Sequence, residues 1–250
     1  MSLIIRSPYP DIAITEVCLP ECLFAERGTD EDDRPVVIDT SRRGYTYDQL
    51  TAAIGRVAAG LAERGLGRHD VAVIFSPNCP DYPAVFHGVL SAGAVCSPAN
   101  ALYTPAEPAH QLRDSGARVL FASTDSLDRA RAAVAEDKVR VEETIVLGSA
   151  RGAPGPVRET GFDEFLACTA PTPKAVLGGD DLAALPYSSG TTGLSKGVML
   201  TRRNLVAGVL QAQPLDLLGP DSRMPAVFTD RPPLHRAACR PSPAQLSAVG

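Results

Sequence analysis

Residues 71–122 read VAVIFSPNCPDYPAVFHGVLSAGAVCSPANALYTPAEPAHQLRDSGARVLFA, and this stretch decides the fold. Val71 to Phe75 is a short unbroken apolar run closed by Ser76-Pro77-Asn78, which predicts a buried strand and a turn. A helix is expected from Asp81 to Ser91, stopping at Gly93, and Ala94-Val95-Cys96 reads as the next strand. Thr104-Pro105-Ala106-Glu107 has the form of a capping box with proline at the first helical position. That helix runs to Ser115 and ends at Gly116, and Arg118 to Ala122 is a third strand. Apolar strands alternating with helices predict an α/β fold with a parallel sheet covered by helices on both faces. Right-handed crossovers make it doubly wound, with ligands at the carboxyl ends of the strands.

The alternation extends in both directions. Upstream, Thr46-Tyr47-Asp48-Gln49 is a second capping box, followed by Leu50, Ile54, Val57 and Leu61 at helical spacing. Gly65 suits a left-handed helix end. Downstream, a helix over 126–136 and a strand from Thr144 to Leu147 repeat the unit. Residues 1–44 read as irregular, and 148–160 and 169–180 as Gly/Pro/Ala-rich loops.

Composition narrows the function classes. The chain has 250 residues, 44% of them hydrophobic and 21% charged, as expected of a globular protein. No apolar run reaches the ~18 residues of a membrane span, and no secretory signal is visible, so a cytoplasmic location is expected. A formal net charge of −5 argues against a nucleic-acid binder. The six cysteines are scattered without metal-ligand spacing and read as reduced structural thiols. His69 falls in a turn and His87 and His110 within helices, with no nucleophile or metal partner near them in sequence. Only Lys138, Lys174 and Lys196 of the 24 basic residues are lysine, so a lysine in a special setting stands out.

Lys196 has such a setting. Leu185-Pro186-Tyr187 leads into Ser188-Ser189-Gly190-Thr191-Thr192-Gly193-Leu194-Ser195-Lys196-Gly197, then Val198-Met199-Leu200, with Thr201 placed to cap a helix through Gln211. Glycines let a backbone approach an anion, successive N–H groups form a concave nest, and hydroxyls and a lysine complete a polyphosphate cradle. A Ser/Gly linker would not place a rare lysine between glycines and flank it with apolar, strand-like runs. The Walker pattern requires Gly-Lys-Ser/Thr at a helix start, whereas Lys196 precedes Gly197 and a strand follows.

The segment 185–198 closely resembles the AMP-binding signature of the adenylate-forming enzymes, which include acyl-CoA synthetases, 4-coumarate–CoA ligases and luciferases. Pro77-Asn78-x-Pro80-Asp81-Tyr82, Gly93-Ala94-Val95, Ala99-Asn100-x-x-Tyr103-Thr104-Pro105 and Ser115-Gly116-Ala117 resemble the 4-coumarate–CoA ligase subgroup, as does the opening from Arg6-Ser7 to Leu19-Pro20. The resemblance implies ATP-dependent acyl adenylation followed by thioester formation. ATP, Mg²⁺ and coenzyme A would serve as co-substrates, with a hydroxycinnamate or fatty acid as the small carboxylic acid. It further implies that Ser188, Ser189, Gly190, Thr191, Thr192, Gly193 and Lys196 hold the nucleotide phosphates. Lys196 and Thr192 would be the catalytic pair, and the Thr192 hydroxyl would lie near the metal. Ser195 stands where many relatives have proline, and Arg202 where relatives usually carry histidine.

The resemblance fades near Met224. Residues 224–250 contain five prolines, five alanines and three arginines without helical or strand period. The expectation is therefore that 1–223 form an incomplete N-terminal part of the adenylate-forming fold and that 224–250 are disordered or out of frame. The later family parts would be missing, turnover would be low or absent, and a separate C-terminal half would be a candidate partner. The alternative reading is a non-catalytic nucleotide-binding or partner-binding remnant.

Overall fold

Alternate residues of one strand serve two cores. In the computed structural model, which describes residues 9, 11–15, 17–24, 35–148, 156–175, 177–188 and 194–212, every residue from Val71 to Phe75 is buried. Ala72 and Ile74 join one apolar cluster, and Val71, Val73 and Phe75 join another. A strand buried on both faces is the signature of a sheet sandwiched between helix layers.

In chain order the elements are α1 (Leu19–Phe24), β1 (Pro35–Ile38), β2 (Gly44–Thr46), α2 (Tyr47–Glu63), β3 (Val71–Phe75), α3 (Asp81–Ser91), β4 (Val95–Ala99) and α4 (Ala106–Ser115). They continue as β5 (Val119–Ser123), α5 (Leu127–Val134), β6 (Glu143–Leu147), β7 (Arg158–Gly161), α6 (Phe162–Leu166), β8 (Leu182–Ala184), β9 (Tyr187–Ser188), β10 (Lys196–Gly197), β11 (Leu200–Thr201) and α7 (Arg202–Ala212). Among the described residues, seven strands form the main sheet in the order β11-β8-β4-β3-β5-β6-β7. All its pairings are parallel except β11 with β8. One cluster packs α1, α2, α3, α6 and α7 residues on one face; the other packs α4 and α5 on the opposite face. The expected α/β class with helices on both faces is the observed one, with an antiparallel edge added.

Local signals explain most boundaries. Thr46 and Gln49 form the reciprocal capping box, with the Thr46 N–H donating to Gln49 Oε1 and the Gln49 N–H to Thr46 Oγ1. Ahead of α4 the box is altered: both the N–H and the hydroxyl of Thr104 donate to Glu107 Oε2. Gly116 ends α4 at φ +65°, a left-handed conformation that glycine adopts without a Cβ penalty.

Three expectations are corrected. Part of the stretch expected to be irregular holds a helix and a hairpin, α1 and β1–β2. Tyr45 anchors that hairpin by donating its hydroxyl to Asp81 at the start of α3 (2.7 Å). The expected loop 148–160 contains most of β7, which adds a seventh strand to the sheet and leads directly into α6. Cys18, Cys79, Cys96 and Cys168 are free thiols, but Cys22 is disulfide-bonded. The stretch 224–250 lies outside the described residues.

The helices α2 and α3 meet where Gly88 faces Val57. A Cβ on Gly88 would lie 2.4 Å from the Val57 Cβ and 3.0 Å from the Ile54 carbonyl oxygen. Gly88→Ala is therefore expected to lower the unfolding free energy by about 1–3 kcal/mol, read from urea denaturation. An unchanged midpoint would contradict the close approach.

At the start of β6 the buried Glu143 accepts from Arg64 Nε (2.5 Å) and from the Thr160 hydroxyl. Burial raises the Glu143 pKa, but the Arg64 and Thr160 bonds outweigh it and hold the carboxyl below its usual range. A depressed folded-state pKa contributes stability above the unfolded value of about 4.3, and that contribution is lost as pH falls through the folded value. The urea midpoint should thus drop below about pH 4, and Glu143→Gln should flatten that drop. An identical pH dependence in both proteins would remove Glu143 from the explanation.

Candidate functional site

The strand order places a crevice at a defined point. From β3 the chain passes through α3 to β4 on one side, then crosses back through α4 to β5 on the other side of β3. Reversing direction puts α3 and α4 on opposite faces, so the loops after β3 and β4 diverge at their carboxyl ends. A cavity of about 240 Å³ lies there, lined by Ser76 and Asn78 after β3, Asn100 and Tyr103 after β4, and Pro186 and Tyr187. This is the position expected of a ligand crevice in an open α/β sheet.

The candidate phosphate loop rises from the same edge. Beside β4, the Leu185 N–H donates to the Cys96 carbonyl (2.9 Å) and the Ser97 hydroxyl donates to the Leu185 carbonyl (2.6 Å). The chain then enters β9, which pairs antiparallel with β10 so that Ser188 faces Lys196 and Tyr187 faces Gly197. The Val198 N–H closes the base on the Pro186 carbonyl (2.8 Å). Ser188 and Lys196 are therefore direct cross-strand neighbours at the mouth of the loop, and both are exposed. Lys196 makes no salt bridge with a described residue, which leaves its ammonium available to an anion. The other sequence-nominated residues, Ser189, Gly190, Thr191, Thr192 and Gly193, lie outside the described residues.

Helix α4 supports this hairpin. Asp114 Oδ2 accepts the Tyr187 hydroxyl at 2.5 Å, and His110 Nε2 donates to the Ser195 carbonyl oxygen at 3.0 Å. The buried Gln111 donates to Ser97 Oγ (2.8 Å), and thereby reinforces the bond from Ser97 to Leu185. Burial, then the neighbouring Asp114 carboxylate, raise the Tyr187 phenol above the usual tyrosine range. Sequence reasoning set His110 aside and did not nominate Asp114. The available signal was their i, i+4 spacing on one helix, which puts both on one face.

His69 occupies a loop position at φ +75°, and His87 is buried in α3. Among the described residues no group of three or more His, Cys, Asp or Glu side chains is placed to hold a metal. Arg202 is buried, with Nη1 donating to the Leu90 carbonyl at 3.1 Å, so it serves the end of α3. Its Nε and Nη2 have no protein acceptor among the described residues, and burial lowers its pKa.

A doubly wound sheet thus carries a glycine- and hydroxyl-rich segment beside its switch-point crevice. The family model described as AMP-binding enzyme matches residues 24–231, and the chain belongs to that family. It is 39% identical over 211 residues to 4-coumarate–CoA ligase 3 of Oryza sativa subsp. japonica, covering 84% of this chain and 36% of the relative. With 4-coumarate–CoA ligase 2 of Solanum tuberosum it shares 35% identity, covering 84% of this chain and 37% of the relative. A benzoate CoA ligase from Burkholderia xenovorans LB400 superposes with a TM-score of 0.64 at 26% identity, over 80% of this chain and 36% of that one. The luciferase-like enzyme of Zophobas morio shares the fold with a TM-score of 0.68 at 24% identity, over 81% of this chain and 47% of that one. The chain thus spans just over a third of the length of the curated relatives it matches. Among the described residues no helix is long and apolar enough to cross a membrane.

Because two guanidinium nitrogens of Arg202 are buried without an acceptor among the described residues, Arg202→Met should leave the unfolding free energy unchanged or raise it by about 1–4 kcal/mol. A loss of more than about 1 kcal/mol in urea titration would show that the charge supports the junction of α3 and α7.

Proposed function

We propose that this chain carries the nucleotide-phosphate site of an ATP-dependent, AMP-forming acid–CoA ligase that activates a small carboxylic acid. The observation that carries the reading is the β9–β10 hairpin, with an exposed Lys196 beside Ser188 at the mouth of the 189–195 loop, in a chain 39% identical to a 4-coumarate–CoA ligase. In this chemistry a carboxylate oxygen forms a bond to the α-phosphorus of ATP while the bond to the β-phosphate oxygen breaks, and pyrophosphate leaves with the electron pair. The thiol of coenzyme A then forms the thioester bond, its proton passes to solvent, and AMP leaves.

Within that sequence the residues of this chain act on the first step. Lys196 contributes a positive charge as negative charge builds on the leaving pyrophosphate, and Ser188, Ser189, Thr191 and Thr192 contribute hydroxyl donors. Gly190 and Gly193 let backbone N–H groups approach the β- and γ-phosphate oxygens. Mg²⁺ enters as part of the Mg–ATP substrate, and the Thr192 hydroxyl is the group proposed to stand near it. The 4-coumarate–CoA ligase relatives favour a hydroxycinnamate over a fatty acid as the carboxylic substrate.

Isothermal titration with Mg–ATP tests the reading. Lys196→Ala should weaken binding by about tenfold or more, the value of one charge-assisted contact. Equal affinity in both proteins would overturn the phosphate assignment. ATP–pyrophosphate exchange by this chain is expected to be low or absent with both 4-coumarate and a fatty acid, and exchange above a Lys196→Ala control with either acid would contradict that expectation.

A further inference from the structure

The phosphate loop is held from below by a helix that does not belong to it. Tyr187 begins the strand entering the loop, and Ser195 immediately precedes the strand leaving it. Both are tied to α4, one turn apart: Tyr187 through its hydroxyl to Asp114, and Ser195 through its backbone carbonyl to His110. The His110 and Tyr187 rings also meet edge to face, with centroids 6.3 Å apart. A two-residue strand pair has little rigidity of its own, because two-stranded ribbons without further packing are marginal in water. Its geometry therefore has to come from the neighbouring side chains, and α4 supplies them on both strands.

We propose that His110 and Asp114 are positioning residues for nucleotide binding, fixing the two stems of the phosphate loop so that Ser188 and Lys196 stay opposed. The inference rests on the phosphate reading of the same loop. Neither residue needs to touch the nucleotide. Tyr187 lines the 240 Å³ switch-point cavity as well, so the Asp114 bond holds one wall of that crevice together with the entrance to the loop. Removing either tie frees one stem. That stem then has to be ordered at the moment of binding, and the cost appears as lost affinity.

The test combines Asp114→Ala, Asp114→Asn and His110→Ala in the full chain with three measurements. Amide hydrogen exchange in the absence of nucleotide reads the stems directly. Asp114→Ala and His110→Ala should each speed exchange at Lys196, Gly197 and Val198 by about tenfold, and amides in β3 and β5 should stay unchanged. Mg–ATP affinity should fall by about fivefold in both alanine variants. Asp114→Asn, which keeps an acceptor for the Tyr187 hydroxyl, should restore most of it. Urea midpoints identify any general loss of stability. Unchanged exchange at the stems, or an increase shared equally with β3 and β5, would overturn the proposal. If the unsubstituted protein binds no Mg–ATP, the phosphate reading fails, and the exchange measurement still decides whether α4 positions the hairpin.

Discussion

The candidate site depends on where the chain leaves β8. The Leu185 N–H bonds the Cys96 carbonyl and the Ser97 hydroxyl bonds the Leu185 carbonyl, so the chain exits alongside the end of β4. With that exit set, β9 and β10 have one place to pair and the loop between them has one edge of the sheet to project from. Buried backbone groups at a sheet edge need partners, and Ser97 and Gln111 supply them there. A polar pair inside the second core thus does structural service for the loop above it.

The same logic explains why the crevice and the base of the hairpin coincide. Parallel strands demand crossovers, and the change of direction at β3 and β4 sends successive crossovers to opposite faces. The gap this leaves at the carboxyl ends of the strands is the 240 Å³ cavity, and Tyr187 belongs to both the cavity and the loop base. The position of the crevice follows from topology before any particular side chain is considered.

Much of this was legible in the residues. Val71–Phe75 was readable as a buried strand because it is apolar without interruption, and Thr46 and Gln49 announced α2 by their spacing. The loop residues were nominated from a rare lysine among glycines and hydroxyls, together with the resemblance of 185–198 to the AMP-binding signature. Ser188 and Lys196 are the members of that set whose places are described, and pairing puts them side by side. Other features were not legible for identifiable reasons. The elements α1, β1, β2 and β7 have six, four, three and four residues, too few to display a period. The bond from Tyr187 to Asp114 joins residues 73 positions apart, and that of His110 to Ser195 spans 85, so no local pattern encodes them. The place of Arg202 was not legible either, because the bond that buries it runs to the Leu90 carbonyl, 112 positions away.

The central claim is that the hairpin of β9 and β10 holds the phosphates of a nucleotide at the switch-point edge of the sheet. Titration of ¹⁵N-labelled protein with Mg–ATP, followed by amide chemical shifts, tests it most directly. The account predicts saturable shifts concentrated in residues 187–198, with smaller changes at His110 and Asp114 and none across β6 and β7. Saturable shifts centred elsewhere on the protein, with residues 187–198 unmoved, would contradict it.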